Sequence, residues 1–289
     1  MYTNSILLVG CGYVGEFLGT FLLQKGWRVY ATTRNSEKIE KFKKLGFSPV
    51  LFSHASFDFK KDNITHVVSS IPRKEALRDP GLDFMEKYDF PNLKWAGYLS
   101  STCVYGDHKG DFVDEESLCL SRSLEGYARR ASEKEWQDFA KLKNLSLMIF
   151  RLAGIYGPYQ NILKNIKEGK SHFIHRAGHF MSRIHVDDIV DVLFHSFVLK
   201  KGEHIFNGAD DVPASHEDVV KYACALMGTP VPIFKNFEDV KSSTSPFLQR
   251  LFEDNRKISN KKMKELTQKP LNFSSYKEGL SDIFKKRMW

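Results

Sequence analysis

The feature that most constrains this chain is a glycine-rich turn set between an apolar run and a helical pattern. Ile6-Leu7-Leu8-Val9 is short, unbroken and apolar, and it ends in Gly10-Cys11-Gly12-Tyr13-Val14-Gly15. A continuous run of this length suits a strand buried on both faces. Beyond the turn Val14, Phe17, Leu18, Phe21 and Leu22 recur at helical spacing, with Glu16 and Gln24 opposite, until Gly26. Trp27 to Thr33 then reads as a second buried strand. Strand, glycine turn, helix and strand make a βαβ unit, whose parallel strands need both faces of their sheet covered.

Further units follow. Strands are predicted over Phe47–Phe52, His66–Ile71 (stopped by Pro72), Tyr98–Cys103 and Leu145–Leu152, and helices over about 36–45 and 124–143. This alternation predicts an α/β fold, a doubly wound parallel sheet of the Rossmann kind, over residues 1–158. After Gly157-Pro158 the pattern loosens into helices at about 159–168, 187–200 and 215–227 and a strand over Glu203–Asn207. Residues 159–289 are therefore expected to form a smaller C-terminal substrate lobe, partly threaded back onto the sheet over about 183–210.

Composition narrows the function classes. Aromatic residues make up 13% and no segment is of low complexity, which excludes a disordered or fibrous chain. The net charge of +8 invites a nucleic-acid reading, but residues 255–289 carry +7 of it. Lysines there alternate with Ile258, Met263, Leu266 and Leu280, as in helices with a solvated basic face, and the segment carries no recognition motif of a nucleic-acid reader. Nucleic acid is therefore not expected as a partner. Cys11, Cys103, Cys119 and Cys224 are far apart with no CxxC pair, which argues against a disulfide framework or zinc site and fits a reducing cytoplasm. The run Ile6–Leu23 contains Glu16 and four glycines with no Lys or Arg ahead of it, so it does not read as a signal peptide. No other apolar run approaches the roughly 18 residues of a membrane span.

The glycine turn sits in the context that dinucleotide binding requires. Gly10 permits the tight turn, Gly12 lets a pyrophosphate approach the backbone, and Gly15 lets the helix pack on the strand. The helix N-terminus, from Tyr13 and Val14 onward, offers N–H groups and partial positive charge to phosphates. The second strand ends Ala31-Thr32-Thr33-Arg34-Asn35, with no acid before Glu37 to accept from a ribose 2′-hydroxyl. The guanidinium of Arg34 suits a 2′-phosphate, so NADP is expected over NAD. Downstream, Tyr98-Leu99-Ser100-Ser101-Thr102-Cys103-Val104-Tyr105-Gly106-Asp107 runs a strand into hydroxyl residues at the edge where open α/β sheets bind ligands.

The chain resembles the extended short-chain dehydrogenase/reductases, which include the nucleotide-sugar epimerases and dehydratases. The resemblance rests on the two motifs just quoted, on Arg151-Leu152-Ala153-Gly154-Ile155-Tyr156-Gly157-Pro158, on Arg183-Ile184-His185-Val186-Asp187-Asp188-Ile189 and on Ile205-Phe206-Asn207-Gly208, in the family's order. It implies that Ser101 hydrogen-bonds the reacting substrate oxygen and that the strand from Arg151 ends beside the nicotinamide. Ser70, Ser100 and Leu152, at or just beyond strand ends, are the further candidate cofactor contacts. The family's Tyr-x-x-x-Lys is not intact in Glu125-Gly126-Tyr127-Ala128-Arg129-Arg130-Ala131-Ser132-Glu133-Lys134-Glu135. One register sets Tyr127 at the tyrosine position, Ala131 at the lysine and Glu135 at a later glutamate; the other sets Glu125, Arg129 and Glu133 there. The second resembles an atypical branch, described as nucleotide-sugar epimerase-like or NAD(P)-binding, whose tail is similar to Asn255-Arg256-Lys257-Ile258-Ser259-Asn260-Lys261 here, and it is favoured. Ser101, Tyr127 and Arg129 are the candidate catalytic residues, although an arginine cannot relay protons.

His185-Val186-Asp187-Asp188 has the residue types of a catalytic cluster, but adjacent side chains diverge, so Asp187 or Asp188 is expected to cap the following helix. His172, His175 and His179 lack a helical pattern, and no metal is expected. The resemblance implies hydride transfer at a secondary alcohol or ketone of a small molecule, a nucleotide sugar, by an enzyme able to form a homodimer. The alternative is a non-catalytic NADP(H)-binding sensor or partner-binding protein that has lost the proton relay.

Overall fold

The computed structural model describes residues 4–52, 59, 63–73, 78–170 and 172–289. In chain order its elements are β1 (Ser5–Val9), α1 (Tyr13–Gln24), β2 (Arg28–Thr33), α2 (Glu37–Lys44), β3 (Ser48–Leu51), β4 (His66–Ser69), α3 (Pro80–Met85), β5 (Trp95–Ser101), β6 (Phe112–Val113), α4 (Leu124–Lys143) and β7 (Ser146–Leu152). They continue with β8 (Gly154–Tyr156), α5 (Ile162–Lys167), β9 (Ile174–His175), β10 (Arg183–His185), α6 (Val186–Ser196), β11 (Glu203–Gly208) and α7 (His216–Met227). The last are β12 (Lys235–Asn236), α8 (Phe237–Val240), α9 (Pro246–Glu253), β13 (Lys257–Ile258), α10 (Lys261–Thr267) and α11 (Tyr276–Lys285).

Seven strands form one parallel sheet in the order β11-β7-β5-β4-β1-β2-β3. The register sets Leu7 of β1 opposite Tyr30 of β2 on one side and Val67 of β4 on the other. Every residue of β1, β4 and β7 is buried, as strands covered on both faces must be. Helix α1 buries Val14, Gly15, Leu18, Gly19 and Leu22, a single stripe at helical spacing. The doubly wound sheet expected from the alternation is thus present, and it is a Rossmann-type fold.

The chain forms two compact units: Met1–Ser101, Tyr127–Arg151 and Val190–Phe206 make up the first, and Thr102–Gly126, Leu152–Ile189 and Asn207–Trp289 the second. The first has a core of Leu7, Val9, Tyr30, Val67, Tyr98, Trp136 and Ile149 among others. Each such side chain contributes about 1.5–3 kcal/mol on burial. In the second, Tyr156, Leu163, Val219, Tyr276, Leu280 and Ile283 form a core shared by α5, α7 and α11. Helix α11 buries Tyr276, Gly279, Leu280 and Ile283 and leaves Lys277, Lys285 and Lys286 exposed, which is the solvated basic face expected of the tail. The pairs β8–β10, β9–β12 and β6–β13 are parallel two-stranded ladders of two or three residues, too short for any sequence periodicity. Among the described residues no helix is long and apolar enough to cross a membrane.

Neither aspartate of the His185 motif takes the role expected of it as a helix cap. The buried Asp188 carboxylate accepts the backbone N–H groups of Asn272 (2.6 Å) and Phe273 (3.2 Å), fastening the segment ahead of α11, while His185 Nδ1 accepts the Asp187 N–H at 3.2 Å. Burial lifts the Asp188 carboxyl to about 6.

Candidate functional site

The turn after β1 is braced from two neighbouring strands. Gly10 has φ +77°, and a Cβ there would lie 2.3 Å from Ile71 Cγ1, so both conformation and space require glycine. Its N–H donates to Thr32 Oγ1 (2.7 Å), the Cys11 N–H donates to the Thr32 carbonyl (3.0 Å), and the Gly10 carbonyl accepts from Ser70 Oγ (2.6 Å). Ser70 is thus placed at the turn, with its hydroxyl engaged in holding it. Burial, with Glu16 nearby, pushes the Cys11 thiol up to about 12, so it is a packing group.

Gly12 differs from Gly10. It is the N-cap of α1 with φ −108°, which any residue can adopt, and no side chain caps the helix there. A Cβ on Gly12 would meet only the Gly10 carbonyl at 3.9 Å, whereas one on Gly15 would meet Cys11 Sγ at 3.0 Å. Gly12 therefore keeps space clear in front of the positive end of a twelve-residue helix, and Gly15 admits close packing. This arrangement fits a pyrophosphate. At the end of β2, Arg34 is exposed, and Glu37, the first acid downstream, has its backbone N–H held by Asn35 Oδ1 at 2.8 Å.

The end of β5 meets α4. Ser101 is half-buried at the last position of the strand, and the chain turns into a short 3-10 segment at Thr102–Tyr105, so the strand starts and ends earlier than the predicted Tyr98–Cys103. Ser100 is buried, and its Oγ donates to Glu133 Oε1 at 2.6 Å. Arg129 is half-buried and its Nη1 donates to Tyr98 OH (3.1 Å) and the Leu99 carbonyl (3.0 Å). Tyr98 stacks on Trp136, and burial raises its phenol pKa. One turn on, Glu133 forms a buried two-pronged ion pair with Arg151. Arg129 and Glu133 therefore face β5, while Tyr127 is 54% exposed. Glu125 is exposed and pairs with Arg250. Leu152 is buried as the last residue of β7.

Sequence reasoning did not find a cavity of about 450 Å³ within the second unit, with Tyr156, Arg183, Phe247, Arg250 and Arg256 in its walls. Arg183 Nη1 donates to the Met181 (2.8 Å) and Ala214 (3.2 Å) carbonyls, and burial lowers its pKa. Arg256 donates to the Gly106 carbonyl at 2.9 Å and pairs with Asp254 at 3.3 Å. These arginines stand on separate segments, so no local spacing announced them together; Arg183 and Arg256 each fell in a stretch already singled out, the Arg183–Ile189 motif and the Asn255–Lys261 tail, whereas Arg250 did not. The predicted histidine trio is dispersed in role: His175 Nδ1 contacts Glu217, and His179 Nε2 the Asp254 carbonyl at 3.2 Å.

A parallel seven-stranded sheet with an open glycine turn at the end of its β1 strand defines a Rossmann-type fold. The family model described as the NAD dependent epimerase/dehydratase family matches residues 82–208 of the chain. A solved structure described as that of a functionally unknown conserved protein from Silicibacter pomeroyi is 31% identical, covers 99% of both chains and superposes with a TM-score of 0.87. Protein YeeZ of Escherichia coli K12 is 22% identical over 82% of this chain and 88% of its own. MoeE5, solved with UDP-glucose and NAD, shares the fold at 18% identity and a TM-score of 0.74, over 98% of this chain and 99% of its own.

Proposed function

We propose that this protein binds NADP(H) and catalyses hydride transfer at a secondary alcohol or ketone of a nucleotide-sugar-like substrate, as a member of the atypical branch that lacks an intact Tyr-x-x-x-Lys. The observation that carries the reading is the open Gly12 in front of the uncapped α1 N-terminus, beside a Gly10 turn that only glycine can make. NAD and UDP-glucose in MoeE5 support the cofactor and substrate classes. Arg34, exposed at the end of β2 with no carboxylate at that strand end, supports the 2′-phosphate form.

The α1 N-terminus and the Gly10–Gly15 backbone hold the pyrophosphate, and Tyr13 and Val14 supply the first helical N–H groups. Ser100 and Leu152, at the ends of β5 and β7, flank the nicotinamide, which when bound supplies or accepts the hydride. Arg129 anchors the nicotinamide ribose, with its guanidinium held by Tyr98 and Leu99. Ser101 hydrogen-bonds the substrate oxygen, and Tyr127 exchanges the proton of that oxygen. The cavity in the second unit, with its arginine-bearing walls, suits an anionic ligand such as a phosphate.

One observation favours the second reading, a dinucleotide sensor without turnover: Tyr127 is 54% exposed and the residue one turn beyond it is Ala131. NADPH and NADP turnover over a panel of UDP- and dTDP-sugars separates the two. The enzyme reading expects turnover that falls by at least about a hundredfold in Ser101→Ala and Tyr127→Phe. Dinucleotide binding without turnover, insensitive to both substitutions, establishes the sensor.

A further inference from the structure

A buried carboxylate lies one helical turn from the arginine assigned to the ligand. Arg129 and Glu133 are four residues apart on α4, a spacing at which opposite charges pair along a helix. They do not pair here. Glu133 Oε1 accepts from Arg151 Nε at 3.0 Å and from Ser100 Oγ at 2.6 Å, and its Oε2 accepts from Arg151 Nη2 at 2.8 Å. The Glu133 and Arg151 side chains are each 7% exposed. The guanidinium fork occupies both carboxylate oxygens, the strongest geometry such a pair can adopt. Arg129 donates instead to two uncharged acceptors, Tyr98 OH and the Leu99 carbonyl, and among the described residues no carboxylate lies within ion-pair distance of it.

We propose that Arg151 is a positioning residue: by holding Glu133 it leaves the Arg129 charge with no carboxylate partner among the described residues and available to the nicotinamide half of a dinucleotide. The inference rests on the assignment of Arg129 as ligand anchor made above. A buried carboxylate is strongly driven to find a counter-charge. Without Arg151, the cation on the same helix face one turn away is Arg129, and an Arg129–Glu133 pair turns the guanidinium from ligand to carboxylate. Ser100 reinforces the arrangement, because it fixes Glu133 from the strand that ends in Ser101. The helix thus carries a cation for the ligand and an anion for the sheet, and Arg151 keeps the two apart.

The test measures two dissociation constants on the full chain by calorimetry, for NADPH and for adenosine 2′,5′-bisphosphate, which has no nicotinamide half. Arg151→Gln is expected to weaken NADPH by about tenfold or more, the scale of one lost charged hydrogen bond, and to leave the bisphosphate within about twofold. Adding Glu133→Gln removes the competing charge and is expected to return NADPH to within about threefold of wild type. A general loosening of the fold weakens both probes together and is not repaired by the second substitution; either result overturns the inference. Should Arg151→Gln fail to fold by circular dichroism, the Glu133→Gln/Arg151→Gln protein decides: near-native NADPH affinity supports the proposal, and a loss confined to NADPH overturns it. A wild-type chain that binds neither probe overturns the dinucleotide reading itself, which is a separate result.

Discussion

Substituting alanine at Gly10 and at Gly12 separates folding from ligand binding within a single turn. At Gly10 the backbone has φ +77°, a region that costs an L-residue about 1–2 kcal/mol, and the new methyl would sit 2.3 Å from Ile71 Cγ1. Relieving that overlap shifts a buried side chain, at a typical cost of about 1–3 kcal/mol. Together these give roughly 2–5 kcal/mol of destabilisation, or a melting temperature lower by about 3–8 °C for a chain of this size. At Gly12 φ is −108° and nothing but the Gly10 carbonyl lies within 4 Å of the new methyl, so stability should be unchanged within about 0.5 kcal/mol. The methyl does occupy the space in front of the α1 N-terminus. Losing even one charge-assisted hydrogen bond from pyrophosphate to backbone weakens binding about tenfold to a hundredfold. The assays are thermal melting by circular dichroism and NADPH titration by nicotinamide fluorescence. The reasoning fails if Gly12→Ala melts as low as Gly10→Ala, or if it melts normally and still binds NADPH like wild type.

Two further predictions concern charge. Arg34→Ala should lower the preference for NADPH over NADH by about tenfold through the NADPH dissociation constant alone; an unchanged ratio removes Arg34 from the site. His66, buried among Trp27, Trp95 and Phe197, has its pKa lowered by burial to about 3. The unfolded chain protonates it near 6.5 and the folded chain does not, so its contribution to stability is complete above pH 6.5 and is lost as the pH falls toward 3. At pH 5 the loss is about 2 kcal/mol. Urea unfolding of His66→Phe at pH 7 and pH 5 should show a pH difference smaller than that of wild type by about that amount; equal differences would mean that the imidazole is not held uncharged.

The βαβ start of the chain was legible because three independent signals agree there: a doubly buried run, a glycine spacing and a helical stripe that begins where the glycines end. Helix α4 was read at its full extent, 124–143, because it is long and periodic. What stayed hidden was contact between distant segments. The spacing of Arg129 and Glu133 is visible in the sequence, but Glu133 is claimed by Arg151 from the next strand, so the pair that spacing alone suggests is not the pair formed. Strand β5 begins at Trp95, earlier than its apolar pattern suggested, because Gly97 interrupts that pattern; a Cβ at Gly97 would lie 2.5 Å from the Trp95 ring, so the glycine makes room for its neighbour. Helix α3 carries a local signal that the strand-centred reading passed over. Asp79 caps it through the Gly81 and Leu82 N–H groups, and Pro80 occupies its first turn. The cavity of the second unit is assembled from the 3-10 turn, β8, β10, α9 and β13, and no window of sequence contains it.

The central claim is that the Gly10–Gly15 turn is a dinucleotide site. Calorimetric titration of the wild-type chain with NADPH, with NADH as comparison, tests it most directly. The account predicts one site per chain, micromolar or tighter for NADPH, weaker for NADH, and abolished or strongly weakened in a normally folded Gly12→Ala variant. Absence of binding by either dinucleotide, or binding that Gly12→Ala leaves untouched, contradicts it.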